Sequence, residues 1–337
     1  MKAVGYSKMG PIAADRSLED IVVDEPVPGA RDLLVEIKAI SVNPVDTKVR
    51  QRAEPDSGHK ILGWDASGVV RSVGAEVVHY RAGDEVFYAG ALDRPGVNSE
   101  LHVVDERIVG RKPKTLSHSE AAALPLTTIT AWELLFDRFG IIEGGGDNES
   151  LLIIGGAGGV GSLMIQLAAN FTNLNVVATA SRPETVAWCK KMGAHHVINH
   201  REDMNAALDS LNVIPRYVAG LTATDEHFEF IADAIAPQGK FGLIDDPDSS
   251  SINISLLKQK SVSLHWEFMY TRSLMQTEDI EAQRELLNRV SDAVDAGTII
   301  TTVNREMGTV NAANLKEAHA FQESGGAIGK TVLEGFG

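Results

Sequence analysis

Residues 151–161, Leu151-Leu152-Ile153-Ile154-Gly155-Gly156-Ala157-Gly158-Gly159-Val160-Gly161, decide how this 337-residue chain is read. Four consecutive apolar residues form a short buried strand, and a glycine-rich loop follows them. Beyond the loop, Val160, Leu163, Met164, Leu167, Ala168 and Phe171 recur at i, i+3, i+4, i+7, i+8 and i+11. That spacing gives one continuous apolar helix face. Gly156, Gly158 and Gly161 then satisfy G-x-G-x-x-G in the strand–turn–helix setting that the motif requires. In that setting the glycines permit a tight turn, close approach of backbone to a pyrophosphate, and close packing of helix on strand. The backbone at Gly159 and Val160 opens the helix toward the phosphates.

Moving outward, further strands are predicted at 176–180, 197–198, 217–221, 241–244 and 262–266, six with the first, each separated by enough chain for a crossover. The pattern over 126–266 predicts an α/β doubly wound parallel sheet. Residues 1–125 read as strands and turns, an irregular β-rich domain. After 266, a polar helix is predicted over 277–296 and short β-like pieces at 299–303 and 331–333, so 267–337 is expected to return to the first domain.

A dinucleotide site built for NAD carries an acidic residue at the end of the second strand, on the ribose 2'-hydroxyl. Here Val177-Ala178-Thr179-Ala180-Ser181-Arg182 offers a hydroxyl and a guanidinium, which suit a 2'-phosphate. NADP(H) is therefore expected, with Ser181 and Arg182 as phosphate contacts and His200, after the third strand, as a further donor or a surface residue. Ser181 is also placed to cap the helix starting at Pro183 while Arg182 stays solvated; the two roles are compatible. Ile244, ending the fifth strand, joins the expected cofactor-binding set. Cys189 and Met192 read as core positions of the second helix.

Composition narrows the function classes. The formal charge of −15 opposes non-specific attraction to nucleic acid or anionic lipid. No apolar run approaches the roughly 20 residues that cross a bilayer, and 1–10 lacks a secretory signal, so a cytoplasmic protein acting on a small molecule is expected. The single cysteine rules out an intramolecular disulfide and any zinc site of several thiolates.

Several separated segments add a family resemblance. Ser41-Val42-Asn43-Pro44-Val45-Asp46-Thr47, Leu62-Gly63-Trp64-Asp65-Ala66-Ser67-Gly68, Ala82-Gly83-Asp84-Glu85-Val86, Ala121-Ala122-Ala123-Leu124-Pro125 and the glycine loop resemble the medium-chain dehydrogenase/reductase family, above all its quinone oxidoreductase and zinc-type alcohol dehydrogenase-like members. The resemblance implies a GroES-like catalytic domain from both chain ends, a Rossmann domain between them, an active site in the cleft, and a homodimer formed through the last Rossmann strand. It also places Asn43 where zinc-dependent members carry a metal-binding cysteine and Trp64 where they carry a histidine, while 124–128 offers no thiol. Amide, indole and hydroxyl groups do not rebuild a zinc site, and His59, Asp46 and Asp65 read as hydrogen-bonded structural groups, so no zinc is expected.

With no Lewis acid, a quinone or enone is a better hydride acceptor than a simple carbonyl, because conjugation spreads the negative charge. The family match puts Asn43 and Thr127 near the nicotinamide as donors to cofactor and developing oxyanion. Lys48 and Arg50 either meet an anionic acceptor or remain solvated, and Trp64 joins them as a substrate-side candidate. Phe268 and Tyr270 either cover the nicotinamide or substrate or pack the domain junction. Many quinone oxidoreductases carry a tyrosine shortly after the Asn-Pro segment, whereas this chain reads Asp46-Thr47-Lys48-Val49-Arg50. The expected activity is NADPH-dependent transfer of hydride to a quinone or α,β-unsaturated carbonyl. A zinc-type alcohol dehydrogenase and a non-catalytic NADPH-binding sensor or structural protein are the alternatives.

Overall fold

The computed structural model describes residues 1–337, the side chain of Ser249 excepted. The chain divides into two compact units, Met1–Ile129 with Tyr270–Gly337, and Thr130–Met269.

In the second unit, six strands form one all-parallel sheet in the spatial order His196–Ile198, Asn175–Thr179, Ser150–Ile154, Tyr217–Gly220, Lys240–Leu243 and Ser263–Trp266. The first strand in sequence lies inside the sheet, and the order reverses beside it. This reversal creates the crevice at the carboxyl ends where open α/β sheets hold ligands. Ser150–Ile154 is buried at every residue, which explains its unbroken apolar run. The helix Gly159–Phe171 buries Leu163, Met164, Leu167 and Ala168, as its period requires. A core of Leu152, Val177, Val218, Phe228, Ile231 and Phe241 fills one side. Cys189 and Met192 are both buried, and burial pushes the Cys189 thiol up to about 12.

The first unit is built on a seven-stranded sheet whose centre is the long strand Asp32–Val42. Leu33, Val35, Ile37 and Ala39 alternate into its core face. The strand Lys330–Glu334 pairs antiparallel with that strand, Thr331 opposite Val42, and parallel with Val303–Glu306 on its other side, so both parts of this unit share one sheet.

The structure differs from the sequence reading at several elements. Residues Pro44–Arg52, read within a β region, form a helix capped at Asn43 and started by Pro44. Pro44 suits the first helical position, where no backbone donor is needed. The helix predicted over 277–296 begins only at Ala282, and the first of the late β-like pieces is the strand Val303–Glu306. The helix after the second strand is capped at Arg182, not Ser181, with the Arg182 N–H donating to Thr185 Oγ1 at 3.1 Å.

Candidate functional site

In the second unit, the glycines of the loop have separable jobs. Gly155 has φ +88°, and a Cβ there would lie 2.8 Å from Thr222. A Cβ on Gly156 would meet Ala178 Cβ at 2.7 Å, and one on Gly161 would meet the Gly155 carbonyl oxygen at 2.4 Å. These three are glycines because the protein's own atoms, side chains at 155 and 156 and backbone at 161, already fill the space. Gly158 is different. Its φ is −71°, open to any residue, and the nearest atom to an added Cβ is 3.6 Å away. Nothing in the chain demands glycine at 158, so the site fits a group that approaches the backbone from outside, as a dinucleotide pyrophosphate does.

Thr179, ending the second strand, ties the loop down: its hydroxyl accepts the Gly155 N–H at 3.0 Å and its carbonyl accepts the Gly156 N–H at 3.2 Å. Gly158 is the N-cap of the helix and has no side chain with which to cap it. This leaves the amino end suited to an anion.

At the end of the second strand, Ser181 and Arg182 are half-buried, and the Arg182 guanidinium meets Glu184 at 3.1 Å. Both side chains reach solvent, Glu184 more than Arg182, so the pair is weakly held. The His200 ring stands 6.2 Å from that of His227. Burial, then the neighbouring His227 and Arg201, hold its pKa below the usual histidine value. Ile244 is half-buried, with its N–H donating to Gly220 O at 3.3 Å, and Phe268 is half exposed.

The first unit contains a buried polar cluster around Asn43. Its N–H donates to Asp46 Oδ2 at 2.6 Å, and its amide nitrogen donates to Asp65 Oδ2 at 2.8 Å. The Lys330 ammonium donates to Asp65 Oδ2 and Val42 O, each at 3.0 Å, and to Asn43 Oδ1. Asp65 Oδ1 accepts the Leu126 N–H at 2.8 Å. Burial pushes the Asp46 carboxyl up to about 7 against the pull of the Asn43 N–H and Lys330, and raises Asp65 as well. The cluster has two carboxyls and one ammonium. Asp65 holds the ammonium and two N–H donors, whereas Asp46 Oδ1 is buried with no hydrogen bond, so Asp46 is the carboxyl less well compensated for its charge. Tyr270 is buried in reach of both, its phenol raised by burial first and then by Asp46 and Asp65.

Other residues named from sequence lie elsewhere. Thr127 is buried and its hydroxyl donates to Leu124 O at 3.1 Å. Trp64 is a core residue whose indole N–H donates to Ala91 O at 3.2 Å. Lys48 is half-buried on the helix Pro44–Arg52. Arg50 corrects both readings offered for it: the residue is fully buried, its guanidinium bonded to Gly10 O and Glu323, with Nε 3.4 Å from His319. It is an internal ion pair between the helix Pro44–Arg52 and the helix Ala312–Glu323. Sequence reasoning missed Lys330. The signal was a lysine opening the apolar run Lys330-Thr331-Val332-Leu333.

The zinc donor set does not fit this chain. The Asn43 oxygen is held by Lys330, the indole nitrogen of Trp64 has no lone pair to give, and His59 is engaged with Glu19 at 3.3 Å. No group of three His, Cys, Asp or Glu side chains able to hold a metal occurs among the described residues.

Comparison with known proteins places this geometry. Residues 29–114 match the alcohol dehydrogenase GroES-like domain, and residues 159–288 match the zinc-binding dehydrogenase domain. A zinc-type alcohol dehydrogenase-like protein of Staphylococcus epidermidis is 38% identical, with 99% of each chain covered. The chain belongs to the medium-chain dehydrogenase/reductase superfamily. Its two parts are accordingly the GroES-like domain and the Rossmann-type parallel sheet of that superfamily. A Rhizobium etli protein described provisionally as a zinc-dependent alcohol dehydrogenase has a crystal structure with TM-score 0.96 and 54% identity, covering 100% of this chain and 98% of that one. The Escherichia coli quinone oxidoreductase, crystallised with NADPH, superposes with TM-score 0.84 at 25% identity over 99% of this chain and all of that chain. The 2-methylene-furan-3-one reductase of Solanum lycopersicum is 36% identical over 224 residues, 64% of this chain and 56% of that protein. The chain is thus an oxidoreductase related to quinone and enone reductases.

Proposed function

We propose that the protein is an NADPH-dependent, zinc-independent reductase of quinones or α,β-unsaturated carbonyls. The carrying observation is the open approach at Gly158, together with a second strand, Asn175–Thr179, that is followed by Ala180-Ser181-Arg182 with no carboxylate. The bound nicotinamide supplies the hydride.

The chain's own residues hold and orient. Backbone N–H groups at Gly159, Val160 and Gly161 face the pyrophosphate, and Gly156 and Gly161 keep helix and strand close enough for that. Ser181, Arg182 and His200 receive the 2'-phosphate, with Arg182 exchanging Glu184 for it. Ile244 and Phe268 border the cofactor. Asn43 is the donor toward the reacting end, joined by Thr127 once its hydroxyl turns from Leu124 O, with Lys48, Tyr270 and the ring of Trp64, its N–H held by Ala91 O, as the substrate-side candidates. The second amide hydrogen of Asn43 has only a 3.4 Å contact, to Ser41 O, and is the more readily redirected of the two. The NADPH-bound quinone oxidoreductase of Escherichia coli and the tomato furanone reductase support this acceptor class. A homodimer through the edge strand Ser263–Trp266, where Trp266 is exposed, and a cytoplasmic location complete the reading.

The test is NADPH oxidation against quinones, enones, enoyl thioesters and aldehydes, with NADH as control. Turnover of quinones or enones with preference for NADPH is expected. Activity confined to aldehydes rejects the reading.

A further inference from the structure

We propose that the buried ammonium of Lys330 is the resident cation of the Asn43 site and fixes the side chains of Asn43 and Asp65 where metal-dependent relatives place an ion. Lys330 is almost wholly buried, and its ammonium has three acceptors: Val42 O, Asn43 Oδ1 and Asp65 Oδ2. An ammonium has three N–H donors, so none is left over. A cation is expensive to bury unless fully paired, and this one is paired by a carboxylate and two carbonyl-type oxygens.

Those acceptors come from particular places in the sequence. Asn43 stands where the family resemblance puts a metal-binding cysteine, and Asp65 adjoins Trp64 at the histidine position. One charged group from the C-terminal strand therefore collects the oxygens of both segments. A divalent ion would face an adjacent positive charge and oxygens already committed to it.

Lys330 also decides the orientation of the Asn43 amide. An ammonium only donates and a carboxylate only accepts, so the amide oxygen must face Lys330 and the nitrogen must face Asp65. Turning the amide over loses both bonds. Asp65 Oδ1 extends the arrangement to the Leu126 N–H, at the start of the helix Pro125–Trp132. Lys330 is thus a positioning residue, acting through Asn43 and Asp65. Its kinetic consequence rests on the reductase reading above; its role as resident cation does not.

The experiment compares the wild type with Lys330→Met and Lys330→Arg. Wild-type protein equilibrated with zinc chloride and then desalted is expected to hold no stoichiometric zinc and to show no zinc-dependent change in Tm. Lys330→Met is expected to lower kcat for the acceptor by about 10-fold to 100-fold, the range for removing a group that orients a site. KM for the acceptor and the Kd for NADPH are expected to stay near wild type, and Lys330→Arg to recover most of the loss. One zinc per wild-type chain, or a folded Lys330→Met with wild-type kcat, overturns the proposal. If Lys330→Met does not fold, zinc content and Tm of the wild type still decide it. If the wild type turns over no acceptor while excluding zinc, the reductase reading fails and the resident cation stands.

Discussion

The Arg138 guanidinium donates to Glu267 Oε2 at 2.9 Å, inside the second unit, where the side chains of Glu267 and its neighbour Glu133 are both fully buried. Each carboxyl opposes ionisation of the other, and Glu267 Oε1 is buried with no hydrogen-bond partner. Burial and the second carboxyl hold Glu267 well above the usual glutamate range. Its folded pKa is raised over its unfolded one, so its stabilisation is complete below the unfolded value and is lost as pH rises toward the folded value. Glu267→Gln keeps the hydrogen-bonding shape without the titration. Its Tm is expected to fall less than that of the wild type between neutral and alkaline pH, as read by thermal melts across that range; parallel curves contradict the raised Glu267 carboxyl.

Asp46 follows the same sign in a lower window. With its carboxyl raised from 3.8 to about 7, the folded state holds a proton that the unfolded state has released between those values. Stability therefore declines as pH rises from about 4 to about 7, at up to about 1.4 kcal/mol per unit. Asp46→Asn flattens that decline, and urea titrations at three pH values across the window measure it.

The glycine loop separates ligand from fold. Gly161→Ala puts a Cβ against the Gly155 backbone at 2.4 Å and is expected to cost about 1–3 kcal/mol of stability, as overpacking does. Gly158→Ala meets only a 3.6 Å contact and leaves Tm near wild type, while weakening NADPH at least tenfold in a fluorescence titration. Equal NADPH affinity would remove Gly158 from the cofactor site.

In the proposed cofactor site, Glu184 and the 2'-phosphate compete for the Arg182 guanidinium. Arg182→Ala is expected to weaken NADPH far more than NADH, and Glu184→Ala to strengthen NADPH modestly by removing one competing anion from Arg182. Calorimetric Kd values for both nucleotides check the pair.

The parallel sheet was legible because each of its properties is local: an apolar strand, glycines at fixed spacing, and an apolar period in the following helix. The family segments likewise singled out Asn43 and Asp65, whose side chains meet in one buried cluster. What the chain did not disclose locally was partnership over distance. Arg50 reads as a surface cation until Glu323 and Gly10 close around it, and Lys330 reads as a strand-edge lysine until Asp65, far away in sequence, accepts it. Capping showed the same limit on a smaller scale. Ser181 has the preferred chemistry for an N-cap, but the reciprocal bonds between Arg182 and Thr185 put the cap one residue later, at Arg182, with the helix starting at Pro183 as read.

The most direct measurement of the central claim is the fate of deuterium from NADPH labelled at nicotinamide C4, reacted with an enone in the presence of a zinc chelator. The account predicts a saturated ketone carrying deuterium on the carbon β to the carbonyl. Deuterium on the carbonyl carbon of an allylic alcohol, or no NADPH consumed with either an enone or a quinone, would contradict it.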